Sequence, residues 1–173
     1  MYRIVAIAFV VVFLSSWSIA ADEGRLEIRV IDKANGEPLA ARMHLKDAKA
    51  KPIKPPKVPF WRDHFAFDGT IVLELPLGVY NFELESGPEY KLQTGYFTLE
   101  RNANDTKTIE MQRFVDMKKE GWWSGDLHIH RPPAEIETLM RAEDLHIGPV
   151  ITWWNNKATW EGKKLPAKPL RSE

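Results

Sequence analysis

The chain has 173 residues, with 24 basic and 24 acidic side chains for a formal net charge of zero, and no cysteine. Nothing in this balance of charge suggests a nucleic-acid partner. The missing thiols exclude disulfides, thiolate metal sites and cysteine nucleophiles, so stability has to come from buried apolar area.

Residues 1–20 carry a charged start at Arg3, an apolar run from Ile4 to Leu14 and a small-residue exit at Ser18-Ile19-Ala20. These are the three parts of a secretory signal, with cleavage expected after Ala20. The run is too short to cross a bilayer as a helix. A secreted or periplasmic protein with no stable membrane anchor after cleavage is therefore expected; an uncleaved anchor, extended through Trp17 and Ile19, is the alternative. What remains suffices for one core of ordinary size, or for a small domain plus a piece of another.

From Arg25 to Gln112 the pattern has period two. Leu26, Ile28 and Val30 alternate with Glu27 and Arg29, and a turn follows at Asn35-Gly36. Ile71, Leu73 and Leu75 repeat the alternation, as do Tyr80, Phe82 and Leu84, with Pro76-Leu77-Gly78 as the turn between them. Further strands are predicted at Ala41 to Leu45, Gly95 to Glu100 and Thr106 to Gln112. The fold class is mainly β, an antiparallel Ig-like or prealbumin-like sandwich over residues 24–114. Asp47 to Gly69 breaks the rhythm and reads as a long connection, aromatic at Phe60-Trp61 and Phe65-Ala66-Phe67. His64, in its middle, reads as a solvated or hydrogen-bonded loop histidine, with a ligand role as the alternative.

Residues 115–121, with Met117-Lys118-Lys119-Glu120, read as a polar linker. Gly125 to His130 then reads as a strand, Pro132-Pro133 opens a helix carrying Ile136, Leu139 and Met140 on one face, and Gly148-Pro149 ends it before a strand at Val150 to Trp154. That order predicts a βαβ unit with two parallel strands. The tail, 157–173, is basic and proline-containing, and is expected to be poorly ordered.

On the predicted strand, His128 and His130 share one face with Asp126. Two neutral imidazoles at that spacing suit a divalent metal such as zinc, manganese or iron, and the Asp126 carboxylate could fix a ring tautomer from the second layer or bind the ion itself. His146 precedes the second strand, at the end away from such a site, and reads as structural. Asn155 and Asn156 lie at the favourable end and offer amide oxygens to a substrate. Trp122, Trp123, Trp153 and Trp154 read as packing between domains, with a carbohydrate-stacking wall as the alternative. No Ser, His and Asp arrangement is evident, and no catalytic residue is assigned.

Trp122-Trp123-Ser124-Gly125-Asp126-Leu127-His128-Ile129-His130 resembles the opening metal motif of the PHP (polymerase and histidinol phosphatase) metallohydrolases, in particular the exported CehA/McbA-like branch. Leu75-Pro76-Leu77-Gly78-Val79-Tyr80 resembles the strand-turn-strand signature of the carboxypeptidase-regulatory-like sandwich that often precedes the metal domain there. The resemblance implies a barrel holding two or three divalent ions that activate water against phosphate or carboxylic esters, with His128 and His130 as first-strand ligands. Residues 122–156 would be an incomplete PHP-like domain. The family's next motif, an Asp-His pair, would fall near Thr152-Trp153, and tryptophan has no lone pair to give a metal. The expectation is an exported fragment of a metal-dependent hydrolase, inactive alone, acting on a small ester in a complete relative or after a second chain completes the barrel. The alternative is a non-enzymatic secreted β-sandwich binding module that recognises a saccharide or a protein.

Overall fold

In the computed structural model, which describes residues 22–154 and 157–165, the expected strands form where the period-two pattern places them. They are β1 (Glu23–Asp32), β2 (Ala41–Asp47), β5 (Thr70–Pro76), β6 (Gly78–Glu85), β7 (Gln93–Leu99) and β8 (Asn104–Met111), and the long connection adds β3 (Phe60–Trp61) and β4 (His64–Phe67). One sheet has the order β5-β1-β8 and the other β3-β4-β2-β6-β7. Alternate residues of both sheets point into one apolar cluster. Ile28, Val30, Leu73 and Met111 enter from the first sheet, and Met43, Leu45, Phe65, Leu84 and Leu99 from the second. Two sheets facing across a shared core make a sandwich.

The reading as wholly antiparallel needs correction. β1 and β8 run parallel, from Arg25 opposite Asn104 to Asp32 opposite Met111. Between them the chain passes through the five-stranded sheet and returns in the same direction, so the pairing is a crossover that local sequence does not signal. At the β5–β6 corner the Tyr80 hydroxyl donates to the Pro76 carbonyl at 2.8 Å, which pins the turn. Ser86, fully buried, donates to the carbonyl of Ala40 at 2.8 Å.

The predicted βαβ unit is likewise corrected. Gly125 and Ile129 make single parallel bridges to Ile147 and Val150, and no ladder forms. The Asp126 carboxylate accepts from the backbone N–H of His128 at 2.9 Å, a local turn that competes with extended pairing. Its effect shows in burial: Ile129 is buried while Leu127, which would share its face on a strand, is exposed. A 3-10 turn at Pro133–Glu135 leads into helix α1 (Ile136–Ala142). The expected strand at Val150 to Trp154 is reduced to β9 (Trp153–Trp154), paired antiparallel with β10 (Lys157–Ala158).

Helix α1 lies on the five-stranded sheet. Ala142 meets Ala40 and Ala66, small residues that allow close approach. Charged groups hold its C-terminal end: Arg42 bridges Glu85 and Glu143, while Arg113 bridges Glu89 and Asp144. Arg141 and Thr138 both reach Asp68, at 3.0 and 2.6 Å. The proposed signal at 1–20, the residues Asn155 and Asn156, and positions 166–173 of the tail lie outside the described residues.

Candidate functional site

Where α1 and the 126–131 segment meet the edge of the five-stranded sheet, they enclose a cleft of about 450 Å³. Its walls are mainly apolar, with Ile129, Ile136, Leu139, Met140 and Leu145 from the C-terminal segment and Trp61 from the sheet edge. Few polar groups face it: Asp126, Arg131, Glu143 and His64. Arg131 lies over the Trp61 ring at 5.2 Å and donates to Glu135 at 2.7 Å, yet its Nε is buried without a hydrogen-bond partner among the described residues. An apolar cleft with few polar groups is a place for a ligand that brings an apolar body.

Beside the cleft, on the outer face of the same sheet, stands a second cluster. His44 Nδ1 lies 3.3 Å from Asp63 Oδ2, and His64 Nδ1 lies 3.1 Å from Asp63 Oδ1. Hydrogen bonding to His64, and then to His44, holds the Asp63 carboxyl below the usual carboxylate range against the opposing effect of desolvation. Among the described residues this is where three His, Asp or Glu donor atoms lie within 4.8 Å of one another. Sequence reading missed His44 and placed His64 in a loop. The signal was present in the alternation of β2, where Met43 and Leu45 are buried and His44 faces outward.

The histidines expected to form the metal site do converge. His128 and His130 bring their Nε2 atoms within 2.8 Å, with ring centroids 4.7 Å apart. Asp126 does not join them; its carboxylate is taken by the His128 backbone and it lines the cleft instead. Among the described residues no group of three His, Cys, Asp or Glu includes them, and two imidazole nitrogens alone do not make a centre of two or three catalytic ions. His146 is structural in its contacts: Nδ1 meets the Ser124 hydroxyl at 2.8 Å, and the ring packs on the edge of Trp123. The indoles of Trp122, Trp123 and Trp153 are 67%, 60% and 75% exposed, which corrects the reading as domain packing.

No protein-family model matches the chain, and no curated protein does. Solved structures do. The chain is similar to the Bacillus anthracis TIE protein at 18% identity and a TM-score of 0.42, over 65% of this chain and 20% of that one. It is similar to BcpA, the major pilin subunit of Bacillus cereus, at 21% identity and a TM-score of 0.42, over 53% of this chain and 30% of that one. A third likeness, to the pilus-presented adhesin Spy0125 (Cpa), has 16% identity and a TM-score of 0.37, over 53% and 28% of the two chains. The matched region spans less than a third of each of those proteins. The expectation of a PHP-type metallohydrolase is corrected: its structural premise, a βαβ unit, does not form among the described residues, where Gly125 and Ile129 make only single bridges.

Proposed function

We propose that the chain is a non-enzymatic β-sandwich binding module of an exported protein, and that it recognises a protein partner by taking one or two apolar side chains into the cleft between α1 and the sheet edge. The observation that carries the reading is the wall of that cleft. Ile129, Ile136, Leu139, Met140 and Leu145 give an aliphatic surface, suited to a protein side chain; a saccharide would require many more groups that bond to hydroxyls. Arg131, one of the few charged residues lining the cleft, adds positive charge for a carboxylate of the bound segment. Trp122, Trp123, Leu127 and Ile147 are large apolar side chains exposed on the same C-terminal segment.

The test is selection of a phage-displayed random peptide library on the purified protein, with a glycan array probed in parallel. Peptides with an aliphatic or aromatic anchor should be enriched, and Leu139→Asp and Arg131→Ala should each weaken their binding at least tenfold while circular dichroism stays unchanged. Peptides that bind both variants equally, or strong glycan binding with no peptide enrichment, would overturn the proposal.

A further inference from the structure

The register of the five-stranded sheet sets one row of residues across its outer face. β3 pairs with β4 so that Trp61 faces His64, β2 pairs with β6 so that His44 faces Glu83, and β6 pairs with β7 so that Glu83 faces Thr94. The β2–β4 ladder runs from Ala41 opposite Phe67 to Met43 opposite Phe65, and its next step brings His44 opposite His64. The two rings meet there with centroids 4.8 Å apart. Asp63, in the two-residue turn between β3 and β4, then reaches both of them.

That turn departs from the ordinary. Arg62, at its first central position, has φ of 54°, a left-handed conformation for which glycine is the usual choice. Its guanidinium lies over the Trp61 ring at 5.6 Å, and Asp63 is carried to the histidines. An unfavourable backbone held in place by its neighbours is a recurrent feature of binding sites.

We infer that His44, Asp63 and His64 form a binding site for one divalent transition-metal ion, zinc foremost, with two imidazole nitrogens and one carboxylate oxygen as ligands. Metal–ligand bonds of about 2.0–2.1 Å in tetrahedral geometry set donor atoms roughly 3.3 Å apart. His44 Nδ1 lies 3.3 Å from Asp63 Oδ2 and His64 Nδ1 lies 3.1 Å from Oδ1, and one donor atom from each of the three residues falls within 4.8 Å of the others, so a small rotation of the carboxylate brings a single oxygen to both nitrogens. Coordination through Nδ1 requires each ring in its Nε2–H tautomer, so the ion takes the place of any proton that Nδ1 would donate to Asp63. All three side chains are partly exposed, at 20%, 43% and 23%, and an ion reaches them from solvent. Glu83, next to His44 in the row, adds negative charge without entering the cluster. Three protein ligands leave a fourth position to water or to an outside donor. His64 also lines the cleft, so the ion would sit at the border of that binding surface.

The experiment is zinc titration of the purified protein against a chromophoric chelator, in a His128→Ala/His130→Ala background that removes the other imidazole pair. One zinc per chain should remain in that background. Adding His44→Ala or His64→Ala should weaken zinc affinity at least tenfold, and Asp63→Asn, which keeps size and hydrogen bonding, about tenfold. Excess zinc should raise the melting temperature of the background protein, and raise that of its Asp63→Asn form by less at the same zinc concentration. If the background binds no zinc, or if all the variants bind it equally, the site is a hydrogen-bonded surface triad and the inference fails.

Discussion

Arg113 is one of two arginines that tie the C-terminal segment to the sandwich, and replacing it with methionine isolates that tie. Its guanidinium lies 2.5 Å from Glu89 and 2.8 Å from Asp144, and it stacks on Tyr90 with its centre 4.3 Å from the ring centroid. Burial works against the Arg113 charge, but the hydrogen bonds to Asp144 and Tyr90 more than restore it. The side chains of Arg113, Glu89 and Asp144 are 24%, 12% and 21% exposed. Breaking a fully buried pair costs about 3–5 kcal/mol and an exposed one about 0–1 kcal/mol, so these mostly buried groups predict roughly 2–3 kcal/mol. Methionine keeps aliphatic contact with Tyr90, so little of that loss comes from packing. Because Asp144 closes the end of α1, the loss should fall first on the docking of that helix. Native-state hydrogen exchange measures it at the amides of Glu143, Asp144 and Leu145, which donate to the carbonyls of Leu139, Arg141 and Met140. Exchange there should accelerate about 30- to 150-fold, while core amides of β1 and β2 change far less. A double-mutant cycle with Asp144→Asn should return a coupling of about 1–2 kcal/mol. Acceleration below threefold at those three amides would refute the view of Arg113 as a tether.

Two further outcomes follow from the same region. Gly87, with φ of 69°, passes so close to the end of α1 that a Cβ there would lie 2.4 Å from the Asp144 Cβ and 2.6 Å from the Glu143 carbonyl. Gly87→Ala should therefore destabilise by about 2–4 kcal/mol in urea denaturation, and a loss under 1 kcal/mol would mean that the helix is not seated on the turn. Tyr90, whose hydroxyl donates to Asp32 at 2.7 Å, has its pKa pushed up to about 12 by burial and then by that hydrogen bond. A phenol with a raised folded pKa stabilises the protein fully below about pH 10 and loses that contribution as the pH climbs to about 12. The urea midpoint should fall more steeply over that window in the native protein than in Tyr90→Phe; parallel curves would reject the assignment.

The parts of the fold legible in the sequence are those whose two faces see different surroundings. Leu26, Ile28 and Val30 are buried while Arg25 and Arg29 are not, and alternation of that kind marks β1, β5 and β6 unambiguously. β4 fails the same reading for a physical reason. Phe65 and Phe67 enter the core, but Ala66 between them is covered by Ala142 of α1, so both faces are apolar and no alternation exists to be seen. The His128 and His130 segment fails in the opposite way. Leu127 and Ile129 suggest a strand, yet the Asp126 side chain competes for the backbone, and a short-range hydrogen bond decides the local conformation. The convergence of those two imidazoles was legible from spacing.

The two histidine clusters also differ in what fixes them. His128 and His130 are brought together by two residues of chain, and their geometry is only as firm as the turn that holds them. His44, Asp63 and His64 are brought together by sheet register, and register here is guarded by the core. Met43, Leu45 and Phe65 are fully buried on the opposite face, so slipping β4 by one residue against β2 would expose a phenylalanine and turn His64 inward. Sliding the strands apart therefore carries the penalty of unburying core side chains, about 1.5–3 kcal/mol for each large one. Ligands mounted this way are held before an ion arrives, which lowers the ordering cost of binding and accounts for a cluster assembled from strands roughly twenty residues apart in sequence.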